Sequence, residues 1–321
     1  VYKRQSLDSF REIEGRLLAK NKITKVLIGG SPYDETSKFN NFILHQKNNA
    51  ILKIIDAQRV SAKKNGWGFV DFNEPMRKIS LEEQKRDSTF TFCRVDRIHP
   101  DNDGQMVMAY LFLKAQGLAG YEVSEFSIDA QHLDVIVHKN CKISKLKRGK
   151  KNLTFDYLAY ALPYPLDSIP RHGWGNMKSQ RDAMQLVPFM KEFNQERFQV
   201  HNLEKGIYQL TIDDQYIDNL SSGQLMKGIN LADYPTTPQY QQAMKIMYLN
   251  EERFEIEKRF REYLWTEYSF LRKEGPLFVD NQKAIDKLQE YLPKDLFLRA
   301  SYGWYIKAMH PEIRKVWKNY M

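Results

Sequence analysis

The sequence contains few cysteines and no long apolar run. Its two cysteines, Cys93 and Cys141, allow at most one internal disulfide, which excludes a small disulfide-stabilised scaffold. No apolar run approaches the roughly 20 residues that a membrane-spanning helix needs, so the sequence predicts no transmembrane segment. Fixed-period repeats and low-complexity tracts are also absent, which excludes solenoid and collagen-like architectures.

The composition is that of a globular protein. Of the 321 residues, 42% are hydrophobic, 13% aromatic and 28% charged, and 49 Lys and Arg against 40 Asp and Glu give a net charge of +9. The chain is long enough for one large domain or two ordinary ones. A basic run over residues 142–151 would attract anionic polysaccharide or nucleic acid if it were a binding surface. We interpret it as a solvated hairpin tip and predict no nucleic-acid partner.

The chain opens at Val1 with neither an initiator methionine nor a targeting segment. Residues 1–5 (VYKRQ) resemble a translated sequencing adapter. We therefore expect the natural chain to begin upstream, and the missing leader predicts no compartment.

Helices and strands alternate in the first 120 residues. Apolar spacing predicts helices over 7–20, 40–65 and 102–116, and β-branched runs predict strands over 23–28 and 68–72. This alternation is typical of an α/β fold. After Gly120 we expect a small antiparallel sheet over 126–157, a helix over 179–199, a hairpin turning at 213–214, a long helix over 239–274 and a last helix over 300–321.

The most informative stretch joins Asp96 to His99. An aspartate three positions before a histidine can accept the imidazole Nδ1 proton and leave Nε2 to act as a base. The spacing has little weight by itself, because about one residue in eight is acidic and seven histidines give roughly one such pair by chance. Asp129 and His132 have the same spacing between strand-like segments, and we interpret that second pair as a surface coincidence.

Other chemistry is poorly supported by the sequence. The remaining histidines show neither His-x-x-x-His spacing nor neighbouring cysteine pairs, so we predict no metal site, and without a glycine-rich phosphate loop we predict no cofactor. Ser31 follows the first strand but lacks the Gly-x-Ser-x-Gly elbow of a nucleophile. The aromatic residues over 254–270 are interpreted as core.

Two blocks of the first part resemble a known family. Residues 96–104 (DRIHPDNDG) with 108–117 (MAYLFLKAQG) resemble the last conserved block of the SGNH (GDSL-type) hydrolases. Residues 28–35 (IGGSPYDE) and 68–72 (GFVDF) resemble the last two strands of the same fold. The resemblance implies that residues 1–120 are the C-terminal half of a flavodoxin-like, three-layer α/β/α SGNH domain.

Residues 121–321 resemble the α+β extension of a subset of bacterial SGNH proteins, which has a small antiparallel sheet and long C-terminal helices. The matching pieces are FDYL at 155–158, ALPYP at 161–165, GWGN at 173–176, GINL at 228–231, YQQ at 240–242 and LNEER at 249–253. They imply no catalytic role. Trp174 is a weak candidate for substrate contact, as are Tyr33 and Asp34 after the first strand.

The resemblance implies a serine esterase that needs no cofactor and hydrolyses acyl esters of small molecules or carbohydrates. His99 would be the general base and Asp96 would orient it. The family's Ser, Gly and Asn blocks precede the strand at 23–28, so we expect the nucleophile to be absent from this chain and the chain to be inactive by itself. Relatives of this kind also suggest a periplasmic or secreted location.

The alternative is a non-catalytic protein that binds carbohydrate or the cell envelope on an SGNH scaffold. Oligomeric state is not predicted by any feature of the sequence. An incomplete parallel sheet would leave apolar surface and an unpaired strand edge uncovered, so we expect the isolated chain to aggregate.

Overall fold

The computed structural model describes residues 2–20, 22–39, 42–171, 175, 177–275 and 277–319. The chain divides into two compact units, Val1–Tyr240 and Gln241–Met321. The first unit mixes helices with several small sheets, and the second is helical. The predicted α/β architecture with small sheets and long C-terminal helices is thus confirmed.

The helices of the chain are α1 Tyr2–Leu18, α2 Lys47–Asn65, α3 Asn73–Glu83, α4 Asn102–Ala115, α5 Phe189–Glu192, α6 Ser222–Lys227, α7 Pro238–Ser269, α8 Gln282–Tyr291, α9 Leu296–Met309 and α10 Pro311–Asn319. The strands are β1 Val26–Gly29, β2 Gly68–Asp71, β3 Ser124–Asp129, β4 Asp134–Lys139, β5 Cys141–Arg148, β6 Leu153–Ala159, β7 Glu196–His201, β8 Ile207–Ile212, β9 Gln215–Ser221 and β10 Ile229–Asn230.

Strands β1 and β2 form a two-stranded parallel sheet in which Leu27 pairs with Phe69. Helix α2 connects the two strands, as the α/β pattern requires. A Cβ atom at Gly29 would lie only 3.2 Å from the Ile55 side chain, so a glycine lets α2 approach the end of β1 closely. The carboxyl end of β1 leads into the loop that packs against the candidate site.

The second sheet has the strand order β10-β7-β3-β4. β3 runs parallel to β7 and antiparallel to β4, while β5 and β6 form a separate hairpin. The antiparallel pairing predicted over 126–157 is confirmed for β3–β4 and for β5–β6, but the two pairs belong to separate sheets. The core ring Phe126 stacks on Phe198 of β7 and on Tyr157 of β6, at centroid distances of 4.7 and 4.6 Å. Aromatic packing thus joins the sheet to the neighbouring hairpin.

The predicted helix over 179–199 is wrong. The segment forms a 3₁₀ turn over Gln180–Gln185, the single turn α5 and then strand β7. Pro188 cannot donate a backbone hydrogen bond inside a helix, which stops propagation from the 3₁₀ turn. Along β7 the buried residues are Glu196, Phe198 and Val200, and this period of two is that of a strand.

Three other predicted elements differ in their bounds. The helix expected over 40–65 begins at Lys47, and the long helix expected over 239–274 ends at Ser269. The last helix is two helices, α9 and α10, because Pro311 starts a new helix after His310. The hairpin turning at 213–214 is confirmed, and both of its turn residues adopt positive φ.

The main core of the first unit joins α4 to the segment around α5. Val107 and Tyr110 of α4 pack in one cluster with Leu166 and Phe189. The Tyr110 hydroxyl donates to Glu192 Oε2 at 2.9 Å. These contacts fix α4 against residues that lie far along the chain. The predicted domain boundary near residue 120 stays a prediction.

The second unit packs around aromatic side chains. Tyr263 of α7 stacks on Tyr305 of α9 with ring centroids 5.3 Å apart, and Trp317 of α10 is buried. The aromatic segment of α7 is core only in part, since Tyr263 is buried while Phe254 and Tyr268 are exposed. Within the described ranges, every helix is too short or too polar to span a bilayer.

Candidate active site

Asp96 and His99 form a compact hydrogen-bonded pair. The Asp96 Oδ2 atom lies 2.5 Å from His99 Nδ1. Its other oxygen, Oδ1, accepts the backbone N–H groups of Ile98 and His99 at 3.0 and 2.9 Å. One carboxylate thus fixes both the imidazole and the backbone turn that presents it. The bond to Nδ1 selects the tautomer in which Nε2 is the basic nitrogen.

The pair lies at the surface. The His99 side chain is 59% exposed and the Asp96 side chain 32% exposed. Partial burial raises the pKa of Asp96, but the hydrogen bonds from His99 and Ile98 outweigh it, and the net shift lowers that pKa. Asp96 is therefore ionised at neutral pH. An ionised, anchored carboxylate beside an exposed imidazole suits a general base.

Helix α4 starts three residues after His99. Asp101 is its N-cap, and Asp101 Oδ1 accepts the Asn102 N–H at 2.8 Å. The second oxygen accepts the backbone N–H groups of Met177 and Lys178 at 2.8 and 3.1 Å. This buried carboxylate therefore attaches the 177–178 segment to the His99 loop. The predicted substrate contact Trp174 lies outside the described residues.

The loop after β1 lies against the Asp96–His99 turn. Ser31 Oγ donates to the Ile98 carbonyl at 3.5 Å, and the Asp34 N–H donates to the Arg97 carbonyl at 2.9 Å. The structure thus brings the end of β1 and the histidine turn together. In open α/β sheets, ligands bind beyond the carboxyl ends of the parallel strands, and these two loops meet at such an end.

Tyr33 and Asp34 are buried in that loop. Tyr33 is 3% exposed, and its hydroxyl oxygen accepts the Leu44 N–H at 2.9 Å. Asp34 is 8% exposed, and its Oδ1 atom accepts from Thr36 and Ser37. Both side chains therefore hold the loop together through their own hydrogen bonds. A role for either one in substrate binding stays a prediction.

Polar contacts hold the loop to the neighbouring helices. Glu35 accepts the backbone N–H groups of Gln46 and Asn48 at the start of α2, at 2.8 and 2.6 Å. The buried amides of Asn48 and Asn73 bond each other at 3.2 Å, and Asn73 Nδ2 also donates to the Gly30 carbonyl. These contacts make the end of β1 a rigid support for the site.

The residue that the sequence did not reveal is Arg97. It is 1% exposed and lies between the two members of the pair. Its guanidinium donates to backbone carbonyls of the loop after β1. Composition and spacing gave no signal for this, because arginine is rarely buried and its partners are main-chain atoms distant in sequence.

Cys93 lies beneath the site as an inert thiol. It is buried and unpaired, and Cys141 is a free thiol as well. Burial, together with the charges of Asp34 and Asp96, raises the pKa of Cys93 strongly. Because the thiolate is the nucleophilic form, this side chain is unsuited to nucleophilic catalysis.

The second Asp-x-x-His pair makes the same local hydrogen bonds. Asp129 Oδ2 lies 2.9 Å from His132 Nδ1, and Oδ1 accepts two backbone N–H groups of the turn. The hydrogen bond with Asp129 raises the pKa of His132. This pair lies at the exposed turn between β3 and β4, away from the end of β1. It provides an internal control for the first pair.

A cavity of about 400 Å3 lies elsewhere in the first unit. It is formed by β7, β10 and the turn that follows, and its lining includes Arg197, Asp233 and Tyr234. The predicted site residues within the described chain are not part of that lining. The described residues also contain no group of three or more His, Cys, Asp or Glu side chains arranged for a metal ion.

Comparison with known proteins decides the family. A solved structure of a gut microbial diltiazem-metabolizing enzyme superposes with a TM-score of 0.89 and 47% sequence identity, over 99% of this chain and 72% of that one. This chain belongs to the family of that enzyme. A family model, the C-terminal helical domain of diltiazem deacetylase, matches residues 244–321. No curated protein sequence matches.

The family match supports the predicted hydrolase class but does not test the predicted catalytic residues. Diltiazem deacetylase is named for a hydrolytic reaction, which agrees with the hydrolase that the sequence predicts. Membership of the SGNH family and the catalytic roles of Asp96 and His99 stay predictions. Residues 244–321 lie within the helical second unit, so that match includes neither member of the pair.

Proposed function

We propose that the protein is a serine esterase that removes acetyl groups from small-molecule esters, with His99 as general base and Asp96 as the residue that orients it. The observation that carries the proposal is the 2.5 Å bond between Asp96 and His99, beside the end of a parallel strand. The relationship to a diltiazem-metabolizing enzyme supports the ester class.

The geometry suits the following sequence of steps. His99 Nε2 takes the proton from a serine hydroxyl, and the serine oxygen attacks the carbonyl carbon of the ester. The imidazolium then gives that proton to the departing alcohol, which leaves an acetyl-serine. Water, deprotonated by His99, releases acetate and restores the serine. Asp96 stays ionised throughout and stabilises the imidazolium.

The nucleophile in this proposal comes from polypeptide outside the 321 residues. Ser31 is a poor substitute, because its hydroxyl donates to the Ile98 carbonyl and no Gly-x-Ser-x-Gly elbow surrounds it. The resemblance of residues 28–35 and 96–104 to SGNH blocks supports a nucleophilic serine that follows an earlier strand. SGNH-type chemistry is therefore part of the proposal.

Acetate release by the full-length natural protein tests the function. We expect hydrolysis of 4-nitrophenyl acetate and of diltiazem, and a loss of at least about 100-fold in kcat for His99→Ala and for Asp96→Asn. The matched controls His132→Ala and Asp129→Asn alter a pair with the same hydrogen bonds and should keep full activity. Equal losses in both pairs would contradict the assignment of His99.

A panel of esters distinguishes the possible substrate classes. An acetylated sugar such as glucose pentaacetate tests the carbohydrate specificity that the SGNH resemblance implies, against the drug-like ester. Retention of acetylated polysaccharide without acetate release would instead favour the non-catalytic binding protein.

A further inference from the structure

Arg97 has an unusual backbone and an unusual side chain. Its φ of 64° is left-handed, a conformation that residues other than glycine, asparagine and aspartate seldom adopt. The side chain is 1% exposed, although arginine is among the residues least often buried. Both features cost free energy, so the surrounding contacts must compensate for them.

Side-chain hydrogen bonds join Arg97 to the loop after β1. Nη1 donates to the carbonyls of Asp34 and Ser37 at 3.0 and 3.1 Å, and Nη2 donates to the carbonyl of Phe39 at 2.5 Å. In return the Arg97 carbonyl accepts the Asp34 N–H at 2.9 Å. The planar guanidinium can satisfy several carbonyls at once, which an ammonium group does less well.

The loop itself is anchored on its other side. The Lys38 N–H donates to the Ser88 carbonyl at 2.8 Å, and Ser37 Oγ donates to the Thr89 carbonyl at 3.0 Å. Arg97 is therefore attached to a fixed part of the fold rather than to a mobile segment.

The second histidine pair shows what the arginine does not do. Asp129 and His132 make the same side-chain and backbone hydrogen bonds with Ala130 in the position that Arg97 has in the first pair. An Asp-x-x-His turn thus forms without a buried arginine. What Arg97 adds is attachment of the turn to the loop at the end of β1.

We propose that Arg97 is a positioning residue, which fixes the Asp96–His99 pair to the loop after β1 and so sets where the His99 imidazole stands at the end of the sheet. The proposal rests on the esterase function proposed above. It does not make Arg97 a catalytic residue, because its side chain is buried among backbone carbonyls.

Hydrogen exchange tests the attachment without any need for activity. Arg97→Met keeps side-chain length but no donors, Arg97→Gly accepts the left-handed backbone, and Arg97→Lys keeps the charge. We expect the Asp34 amide to exchange at least tenfold faster in the Met and Gly variants, with Lys intermediate. The Gly68 amide, which donates to the Lys25 carbonyl beside β1, is the reference and should be unchanged.

Kinetics of the full-length protein test the consequence. A misplaced base lowers kcat by about 10- to 100-fold and leaves KM within about twofold, because substrate binding does not use Arg97. Arg97→Lys should recover part of kcat. Unchanged Asp34 exchange in Arg97→Met overturns the attachment, and unchanged kcat with accelerated exchange overturns the positioning role. If the wild type releases no acetate, the proposed function fails while the exchange result still decides the attachment.

Discussion

Burial disfavours the ionised form of two carboxyl groups in the first unit. It raises the pKa of Asp103, which follows the N-terminus of α4, and of Glu196 on β7 to about 7 each. Neither side chain is solvent-exposed. Because desolvation penalises the charged form, both groups stay protonated at pH values well above those at which carboxyl groups ordinarily ionise.

Glu196 therefore makes stability depend on pH. The pKa of Glu196 in the folded protein is about 7, above the ordinary 4.5. Its contribution to the free energy of unfolding is therefore complete below pH 4.5 and is lost as the pH rises through about 7. This pKa shift corresponds to a loss of about 3 kcal/mol in the free energy of unfolding. Glu196→Gln can still accept the hydrogen bond that the Tyr157 hydroxyl donates at 2.7 Å, and it does not titrate.

We expect the free energy of unfolding of the wild type to fall between pH 5 and pH 8 more steeply than that of Glu196→Gln. Urea denaturation at each pH measures this difference. Asp103 contributes the same slope to both proteins, and the exposed Glu204→Gln serves as the control. Parallel stability curves would show that Glu196 is ionised in the folded protein.

At the scale of single elements, the sequence predicts the helices and strands whose hydrophobic periodicity is clear. Strands β1 and β2 and helix α4 were predictable because their apolar runs end at turn residues. β7 was not, because its core face includes the polar Glu196, which hides the period of two. Helix α3 went unpredicted, since five of its eleven residues are charged and it includes Pro75.

Sequence patterns likewise predict the local contacts of the candidate site but not its long-range contacts. The spacing of Asp96 and His99 predicts their hydrogen bond, which is local. It could not predict Arg97, whose partners lie about 60 positions earlier in the chain. Nor could spacing distinguish the first pair from Asp129 and His132, because only tertiary structure places one of them beside the end of β1.

Helix α4 offers a test of close packing beside His99. A Cβ atom at Gly104 would lie 2.6 Å from Pro100 Cβ and 3.1 Å from Phe92 Cβ, and neither contact belongs to a flexible side-chain end. We expect Gly104→Ala to destabilise the fold by about 1–3 kcal/mol, despite the higher helix propensity of alanine. Thermal and urea denaturation measure the change.

Gly15 of α1 is the matched control for that substitution. A Cβ atom there has no neighbour within 4 Å, so Gly15→Ala should stabilise the protein by up to about 1 kcal/mol. If both substitutions shift stability in the same direction, the tight contact at Pro100 does not decide the outcome.

At the scale of the molecule, the evidence for function and the candidate residues lie in different units. The family model matches the helical unit, whereas Asp96, His99 and Arg97 all lie in the first unit. The link between them is the solved enzyme, which is similar over 99% of the chain. Assays of the first-unit residues are therefore the informative ones.

The two-stranded sheet β1–β2 leaves apolar surface uncovered. Val26 and Ile28 are 49% and 44% exposed, and Ile13 of α1 is also half exposed. Parallel strands are ordinarily covered on both faces, so exposed β-branched residues on such a strand favour association of chains through it.

We expect the 321-residue chain by itself to bind a hydrophobic dye such as ANS and to aggregate in a concentration-dependent manner. Val26→Thr combined with Ile28→Thr keeps β-propensity while removing apolar area, and should reduce both signals. Ile207→Thr, at an exposed position of hairpin β8–β9, is the control and should have little effect. A monomeric protein that melts cooperatively without binding dye would contradict this expectation, because β1 would then be protected by contacts other than those of β2.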